Sequence, residues 1–451
     1  MKLPAALSPV RISVAGLGLL SFFIHVLPFF LFGAHPLGYD TGFYRRYLLE
    51  PLYSFPNTPV PGLGDDAFIP RLLLDTLRFL ELPPDIILYG SYIVCATLLP
   101  ILLFLYLRPL LGIRGALVGG VCMALSAVSY NAYWYMLWKN AFALDLLLLG
   151  FILLERRSLW PLFVLDILIA LSHKTTTLMY AFSLGIVFLL SRGKRFEVLP
   201  HICLVTIVFL LVNLPTVREV GAVLPSAVFL DWQTYLVLSA PLLVLLIAGA
   251  RGIFVIKIPI TLAAFSVAGF LFPLLHLPFY ERIFVFCDVA LAALAACSVE
   301  YLIRSATESS RRLYVTAIIL CVAGGSLLGT LWNQVAMLKP LVEVKTIQEI
   351  QTVATLLPKE AYLLTTSDEA PYFEGWTRAH IIAPGLLWDT HNFEEWEKFW
   401  SATSTNEKIE FLDSFPTPLY ISTFTGIEEF LGELPECVIE VAPHLFKKGC
   451  D

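Results

Sequence analysis

The chain has 451 residues, of which 58% are hydrophobic and 15% are charged, whereas soluble domains have about 45–50% apolar and about 25% charged residues. This composition excludes an ordinary soluble enzyme. The net charge of −6, without a sustained basic run, also excludes a disordered scaffold and a nucleic-acid-binding protein. A polytopic membrane protein remains.

Two regions of the chain differ in charge. Residues 1–338 carry 22 Lys and Arg against 17 Asp and Glu, whereas residues 339–451 carry 8 against 19. The first region is a string of apolar segments close to the roughly 20 residues that cross a bilayer. We therefore predict a transmembrane domain over 1–338, which includes a long outer loop at 34–85, and a small acidic domain over 339–451.

Length and hydropathy predict a polytopic α-helical protein with about eleven transmembrane helices. The predicted spans are 12–33, 86–107, 114–131, 138–154, 158–172, 175–191, 198–215, 232–250, 257–276, 281–303 and 312–331. We interpret the first span as a retained helix and not as a signal peptide. Its apolar run is too long for the core of such a peptide, and no A-x-A site follows it.

The distribution of Lys and Arg predicts the orientation. If the N-terminus is cytoplasmic, inner loops hold fourteen of these residues and outer loops hold eight, as the positive-inside rule requires. An odd number of spans then makes the C-terminal domain extracytoplasmic. The sequence thus predicts a multi-pass plasma-membrane protein whose unusual polar segments lie at its outer face.

The first outer loop begins with the segment 35–47, His-Pro-Leu-Gly-Tyr-Asp-Thr-Gly-Phe-Tyr-Arg-Arg-Tyr. Apolar residues at 43, 44, 47 and 48 recur at helical spacing, which predicts a helix lying in the membrane interface. Asp40 would stand at the start of that helix. Its carboxylate is either a chemical group of the site or only a helix cap.

This segment, with the layout of many spans followed by an outer domain, resembles the GT-C glycosyltransferases. These multispan enzymes take a sugar from a polyprenyl-phosphate or polyprenyl-diphosphate donor. Members such as protein O-mannosyltransferases, lipid A aminoarabinose transferases and oligosaccharyltransferase catalytic subunits carry an acid just after the first span, and Asp40 matches that acid. The resemblance covers the whole layout, although its local motif is short. It implies that Asp40 is the catalytic base and that transfer inverts the anomeric configuration.

The family often has a second acidic element, and this chain departs from the common pattern. Thr41 stands where some members have Glu beside the Asp, and the nearest acids on the same loop are Asp65 and Asp66. These two are candidates for a divalent metal such as Mg²⁺ or Mn²⁺, although a Gly-flanked Asp pair is more often a turn. No cofactor is certain.

Two further segments supply candidates for binding the donor phosphate. In Ser-His-Lys-Thr-Thr-Thr at 172–177, His173 and Lys174 lie at a membrane boundary, where ionisable groups are functional candidates, and the hydroxyls can cap amides or bind an anion. In Tyr-Glu-Arg at 280–282, Arg282 has the planar fork that suits a phosphate. The resemblance also implies a basic residue at this stage of the chain. The alternatives are a snorkelling lysine in a tight hairpin and a Glu-Arg pair that only locks helices.

Other charged residues can support these groups. Arg45 and Arg46 of the first loop are additional phosphate-binding candidates. Glu281 and Asp288 are seven residues apart and so face the same way along a helix. Asp166 precedes the histidine of the 172–177 segment by seven residues, and it either orients that histidine through intervening groups or bonds another helix.

The region 339–451 is predicted to be a small α/β domain with a largely parallel sheet. Strand patterns lie at 361–365, 380–383 and 419–423, and helical patterns lie at 343–357, 392–402, 406–412 and 426–433. Cys437 and Cys450 both belong to this region, where oxidising conditions would permit a disulfide.

The resemblance therefore implies a membrane glycosyltransferase of the cell envelope. Its expected partners are a polyprenyl-phosphate sugar donor, a lipid, glycan or protein acceptor, and membrane lipid, but no nucleic acid. The competing interpretation is a polytopic transporter or lipid flippase with an outer sensing domain. Such proteins usually place ionisable residues near the bilayer midplane and contain internal repeats. A non-catalytic assembly subunit is the third interpretation.

Overall fold

The computed structural model describes residues 8–33, 37–49, 68–217, 230–276, 280–307, 310–402, 404–432 and 436–449. The chain forms two compact units. The helical unit comprises residues 1–33, 66–70 and 89–339, and the mixed unit comprises residues 34–65, 71–88 and 340–451. Most of the described part of the first predicted outer loop therefore belongs to the same unit as the C-terminal region.

The chain before residue 340 is helical in its described part. The helices are α1 (Pro9–Phe32), α2 (Thr41–Leu49), α3 (Phe68–Leu77), α4 (Pro84–Ala124), α5 (Ala127–Trp134), α6 (Trp138–Glu155), α7 (Leu159–Ala170), α8 (Lys174–Leu190), α9 (Arg195–Val217), α10 (Trp232–Ala248), α11 (Arg251–Val255), α12 (Ile260–Leu274), α13 (Tyr280–Ala306) and α14 (Ser310–Met337). Short 3-10 turns occupy Arg78–Leu80 and Arg192–Lys194.

Some of these helices have the length and composition of membrane spans. Within the described residues, five segments qualify: Pro9–Phe32, Pro84–Ala124, Arg192–Val212, Arg282–Ala306 and Ser310–Met337. Four shorter apolar helices, α7, α8, α10 and α12, have between 10 and 17 residues. The predicted count of about eleven spans is not confirmed, because these shorter helices fall below the roughly 20 residues that a straight crossing needs.

The predicted third span, over 114–131, is wrong. The helix α4 is interrupted at Gly112, whose φ of 70° is left-handed, and it ends at Ala124. The next helix, α5, begins after Ser126, whose hydroxyl accepts a hydrogen bond from the Ser129 amide at 2.8 Å. By hydropathy this segment is one continuous apolar run, but a serine cap starts a new helix within it.

The helix α13 lies at the centre of the helical unit. Nearly every side chain from Ile283 to Cys297 is buried, and many of them are alanines, which let neighbouring helices approach closely. The Cys287 thiol donates a hydrogen bond to a carbonyl oxygen of α12 at 3.0 Å. On another side, the Phe284 ring stacks on Tyr235 of α10 with centroids 4.5 Å apart. The start of α13 is therefore held between α10 and α12.

After residue 340 the chain alternates helices and strands, so the predicted small α/β region is present. The elements are α15 (Val344–Leu356), β1 (Tyr362–Leu364), α16 (Ala370–Trp376), β2 (His380–Ala383), β3 (Leu386–Leu387), α17 (Phe393–Ser401), α18 (Thr405–Asp413), β4 (Leu419–Ser422), α19 (Ile427–Leu431), β5 (Val438–Ala442) and β6 (Leu445–Lys448). Successive residues of β1 face opposite sides of the sheet: Leu363 packs with α15 and α16, and Leu364 packs with α17 and α18.

The prediction that this sheet is largely parallel is wrong. The strand order is β3-β2-β1-β4-β6-β5, and only β1 pairs in parallel, with β2 and with β4. The strands β3, β5 and β6 all pair antiparallel. The three strands that the sequence predicts are the parallel ones, whereas β5 and β6 form a hairpin that turns through His444 with a φ of 61°. Parallel strands need a crossover, but a hairpin needs only a short turn.

Candidate functional site

Asp40 belongs to the mixed unit and directly precedes α2. Its carbonyl oxygen accepts a hydrogen bond from the Tyr44 amide at 3.3 Å, which places Asp40 at the start of the helix, as the sequence predicts. The preceding residue, Tyr39, donates its hydroxyl proton to the Ser367 carbonyl oxygen at 2.7 Å. This hydrogen bond holds the segment around Asp40 against the residues that follow β1.

The carboxylates of Asp40 and Asp368 both influence the pKa of Tyr39. Burial raises the pKa of Tyr39 above its usual value, and the negative charges of Asp40 and Asp368 raise this pKa further. Asp368 is an acidic residue that the sequence analysis missed. It follows β1 at the carboxyl end of that strand, which is where open sheets with parallel strands place their ligands. Its position in the sheet was the only available signal.

Arg45 connects α2 to two other parts of the mixed unit. Its Nε atom lies 3.2 Å from the Asp85 carboxylate, and its guanidinium donates to the carbonyl oxygen of Gly375. The same group lies over the Trp376 ring, 4.4 Å from its centroid. These contacts use the planar fork of the side chain to hold α2 against the end of α16.

Arg46 forms a buried ion pair in the same unit. Its Nε atom is 3.6 Å from Oε1 of Glu374, and the two side chains are 7% and 1% exposed. The guanidinium also donates to the carbonyl oxygen of Thr377. Neither partner was predicted, because both lie more than 300 residues further along the chain.

The helices α2 and α16 approach through two glycines. A Cβ added to Gly42 would lie 1.5 Å from the Pro371 carbonyl oxygen, and one added to Gly375 would lie 2.7 Å from the Gly42 Cα atom. The sequence predicts an interfacial helix here, but Tyr44 and Tyr47 of α2 are 4% and 2% exposed. The glycines permit that burial because no side chain separates the two backbones.

Replacement of Gly42 by alanine should therefore destabilise the protein. The new Cβ meets backbone, which moves less easily than a side chain, so we expect a loss of about 1–3 kcal/mol or more. Thermal unfolding in detergent measures the effect. Gly90 is the matched control: it also lies in a helix, and an added Cβ there meets nothing within 4 Å, so alanine should be neutral or stabilising. Equal unfolding midpoints for Gly42→Ala and Gly90→Ala would contradict the packing.

His173 belongs to the helical unit and caps α8. Its ring nitrogen Nδ1 accepts from the Thr176 amide at 3.4 Å and lies 3.1 Å from the hydroxyl of the same threonine. Thr177 donates its hydroxyl back to the His173 carbonyl oxygen at 2.9 Å. The sequence indicates that the hydroxyls can cap amides, and in the structure the ring of His173 caps the Thr176 amide. The ring is 2% exposed.

Lys174 and Arg282 stand at the same end of the helical unit. Thr261 at the start of α12 donates to Glu155 at the end of α6 at 2.7 Å, and α7 leads from that end back to the start of α8. The start of α8, which is Lys174, therefore lies level with the far end of α12. Only five residues connect the end of α12 to the start of α13. Arg282, in the first turn of α13, therefore lies at the same end of the helical unit as Lys174.

Both cations lack a protein counter-ion in the described part of the chain. Neither Lys174 nor Arg282 makes an ion pair or a side-chain hydrogen bond there, and both are partly exposed. By contrast Arg304, at the other end of α13, pairs with Glu300 at 2.7 Å. Unpaired cations at a helix end suit an anionic ligand.

The supporting acids bond other helices. Asp166 accepts the Tyr180 hydroxyl proton at 2.9 Å and lies 2.5 Å from Nδ1 of His201, which matches the predicted alternative in which it bonds another helix. Asp288 accepts from Ser126 at 2.5 Å and from Ser239 at 3.0 Å. Asp288 thus joins α13 to α5 and α10.

Several buried polar side chains in α1, α5 and α6 are further candidates that the predicted site residues do not include. His25 and Tyr133 have ring centroids 4.8 Å apart, and Tyr130 and Tyr133 have centroids 6.5 Å apart. Among the described residues, His25 Nε2, both tyrosine hydroxyls and the Asn140 side-chain amide lack a hydrogen-bond partner. Both carboxylate oxygens of Asp145 also lack a hydrogen-bond partner among the described residues. Each such group costs about 1–3 kcal/mol when buried unpaired, so the cluster is a further functional candidate.

Three predicted groups lie outside the described residues. They are the metal candidates Asp65 and Asp66 and the side chain of Glu281. No group of three or more His, Cys, Asp or Glu within the described ranges is arranged to hold a metal ion. Cys437 is disulfide-bonded, and Cys450 is not among the described residues.

The fold of this chain is that of the GT-C glycosyltransferases. An oligosaccharyltransferase from Archaeoglobus fulgidus, tethered with an acceptor peptide, matches with a TM-score of 0.64 at 11% identity over 98% of this chain and 74% of that one. Matching structures of oligosaccharyltransferase from the same organism include one in complex with an inhibitory peptide and a dolichol-phosphate and one with zinc and sulfate. ArnT from Cupriavidus metallidurans, bound to undecaprenyl phosphate, matches with a TM-score of 0.59 at 13% identity over 98% of both chains.

The arabinofuranosyltransferase AftD from Mycobacteria also shares the fold. Its TM-score is 0.56 at 15% identity, and the match covers 93% of this chain and 35% of AftD. No protein-family model and no curated protein matches the sequence. The resemblance that the sequence suggested is thus confirmed at the level of the fold.

Proposed function

We propose that this protein is a membrane glycosyltransferase that moves a sugar from a polyprenyl-phosphate-linked donor to an acceptor at the extracytoplasmic face. The observation that carries the proposal is the pair of cations, Lys174 and Arg282, at one end of the helical unit without a protein counter-ion among the described residues. Ionisable residues on membrane helices are functional candidates, and they usually have a partner of opposite charge. A lipid-linked phosphate supplies the missing charge, and the guanidinium fork matches its oxygens.

The proposed mechanism divides three tasks among the candidate residues. Lys174 and Arg282 hold the donor phosphate and stabilise its growing charge as the bond between sugar and phosphate breaks. Asp40 accepts the proton of the acceptor hydroxyl as that oxygen attacks the anomeric carbon. His173 fixes the start of α8, whose amides add to the positive field on the phosphate. One displacement without a covalent intermediate inverts the anomeric configuration.

The remaining candidates have weaker or indirect roles in this proposal. Arg45 and Arg46 already contact groups of the mixed unit, so we rank them below the two cations of the helical unit as phosphate ligands. Asp166 and Asp288 hold helices together, and Glu281 is assigned no step.

The proposed setting is the plasma membrane of a cell with a polyprenyl-linked envelope pathway. We assign the N-terminus to the cytoplasm and the C-terminal region to the extracytoplasmic side, from the excess of Lys and Arg in the predicted inner loops. The acceptor is a lipid, a glycan or a protein. A divalent metal such as Mg²⁺ or Mn²⁺ is part of the proposal only as an option, with Asp65 and Asp66 as its ligands and neutralisation of the leaving phosphate as its chemistry.

A donor panel tests the proposed function. Purified protein is incubated with polyprenyl-phosphate sugars that carry different radiolabelled sugars, together with crude envelope acceptors. We expect one donor to lose its sugar in a protein-dependent manner. Binding of the donors without any turnover across the panel would favour a transporter, a flippase or an assembly subunit instead.

Removal of either cation should weaken donor binding. For Lys174→Gln and Arg282→Gln, we expect the donor KM to rise about 10- to 100-fold, because a hydrogen bond to a charged group contributes about 1.5–3 kcal/mol. Arg304→Gln is the matched control, since Arg304 lies on the same helix as Arg282 but pairs with Glu300. The measurement is the initial rate against donor concentration. An unchanged KM in both variants would remove these residues from the site.

A further inference from the structure

A cavity lies at the other end of the helical unit. Its volume is about 300 Å³, which is at the lower limit for pockets that hold small ligands. Its lining includes Tyr106, Pro109, Ile152, Glu155, Arg156 and Pro259. These residues come from α4, the end of α6 and the approach to α12. The proposed transfer mechanism uses none of them.

The cavity and Lys174 are separated by the length of α7. Arg156 follows the end of α6, and α7 then runs for 12 residues before the chain reaches α8. A helix of that length rises about 18 Å. The cavity and Lys174 therefore lie at opposite ends of α7.

An irregular part of α4 shapes one wall of the cavity. Pro109 lacks an amide proton, and Gly112 has a left-handed backbone, so the helix loses its regular path at this point. Tyr106 also belongs to α4, and its hydroxyl is 2.7 Å from Thr261 Oγ1, which itself donates to Glu155 at 2.7 Å. The polar groups at the base are thus satisfied by one another.

Among the described residues that line the cavity, the charged ones are Glu155 and Arg156. Lys194 neutralises Glu155 at 3.0 Å, and Arg157 lies 3.9 Å from Glu197. Arg156 makes no ion pair and no side-chain hydrogen bond to any described residue. A mostly apolar cavity with one free guanidinium at its edge is complementary to an anionic amphiphile.

We propose that this cavity binds an anionic glycerophospholipid, with an acyl chain along Ile152 and Tyr106 and the phosphate paired with Arg156. Basic pockets between membrane helices bind anionic head groups in this way. A zwitterionic lipid fits less well because its own cation already neutralises the phosphate and would approach Arg156. The site is separate from the proposed transfer site and does not depend on it.

Native mass spectrometry of the full, delipidated protein tests this site. The protein is titrated with phosphatidylglycerol and with phosphatidylcholine of the same acyl chains. We expect the wild type to bind one phosphatidylglycerol about tenfold more tightly than phosphatidylcholine. Arg156→Gln should abolish that preference. Arg157→Gln is the matched control, because the adjacent arginine has a carboxylate partner and does not line the cavity, and it should keep the preference.

A second variant examines the cavity itself. Leu110 lines the cavity, and Leu110→Trp should fill it and weaken the binding of phosphatidylglycerol. Thermal unfolding confirms that each variant is folded. An equal affinity of the wild type for both lipids, or an Arg156→Gln protein that keeps its preference, would overturn the proposal. Tighter binding of a polyprenyl phosphate than of phosphatidylglycerol at this site would also overturn it.

Discussion

Replacing Asp40 by asparagine is expected to lower the rate of sugar transfer by about 10²–10⁴-fold, which is the usual contribution of a general base. The amide of asparagine cannot take the proton of the acceptor hydroxyl at neutral pH. It has nearly the same size as the carboxylate and keeps one oxygen that accepts hydrogen bonds. Donor binding should change little, because the proposal assigns the phosphate to other residues. The measurement is kcat and donor KM from initial rates.

The choice of asparagine separates catalysis from helix capping. Asparagine caps a helix about as well as aspartate does, so Asp40→Asn should unfold at the wild-type temperature if the cap alone is at stake. An active Asp40→Asn protein would reduce Asp40 to a capping residue. Asp368→Asn is an informative companion, because that carboxylate acts on the same tyrosine but has no step in the proposed mechanism.

Neutralising Glu374 should strongly destabilise the protein. In Glu374→Gln the partner Arg46 keeps its charge in a buried position, since its guanidinium does not lose a proton in proteins. Breaking one side of a buried ion pair costs about 3–5 kcal/mol. Glu349→Gln is the same substitution in an exposed pair with Lys345 at 3.6 Å, where the expected loss is at most about 1 kcal/mol. Thermal or chaotrope unfolding in detergent distinguishes the two.

The double variant Arg46→Met with Glu374→Leu completes this prediction. Replacing both members of a buried pair by apolar residues is often neutral, so most of the lost stability should return. We also expect sugar transfer to persist in the double variant, because the observed contacts of Arg46 are within the mixed unit. If the double variant is stable but inactive, Arg46 is needed for sugar transfer and becomes a phosphate-binding candidate again. A Glu374→Gln protein with wild-type stability would contradict the buried pair.

Local patterns in the sequence were sufficient for many of the elements. The apolar run predicts a helix near 12–33, and α1 occupies Pro9–Phe32. Short apolar segments between helical patterns predict β1, β2 and β4 within one residue or two. The break between α4 and α5 was not predicted, because the composition of the apolar run does not change at the serine cap. The β5–β6 hairpin was not predicted, because exposed side chains such as Glu440 and Val441 weaken its strand pattern.

The candidate site depends more on distant contacts than the elements do. Asp40 was found from its place after the first span, whereas its neighbour Asp368 is far away in the sequence and only the fold brings both beside Tyr39. The packing of α2 on α16 depends on two glycines that are 333 positions apart in the sequence. His173 was singled out for its charge, but its capping role depends on the backbone direction at the start of α8. Such relations are tertiary, so no local pattern predicts them.

The mass of the donor lipid after incubation tests the central claim most directly. Wild-type protein in proteoliposomes is given the donor that the panel identifies and an acceptor, and the lipid is then analysed by mass spectrometry. The account predicts that the sugar-free polyprenyl phosphate appears in an amount equal to the sugar found on the acceptor. Recovery of the intact donor, moved to the other leaflet and still carrying its sugar, would contradict glycosyl transfer and show that the protein is a flippase.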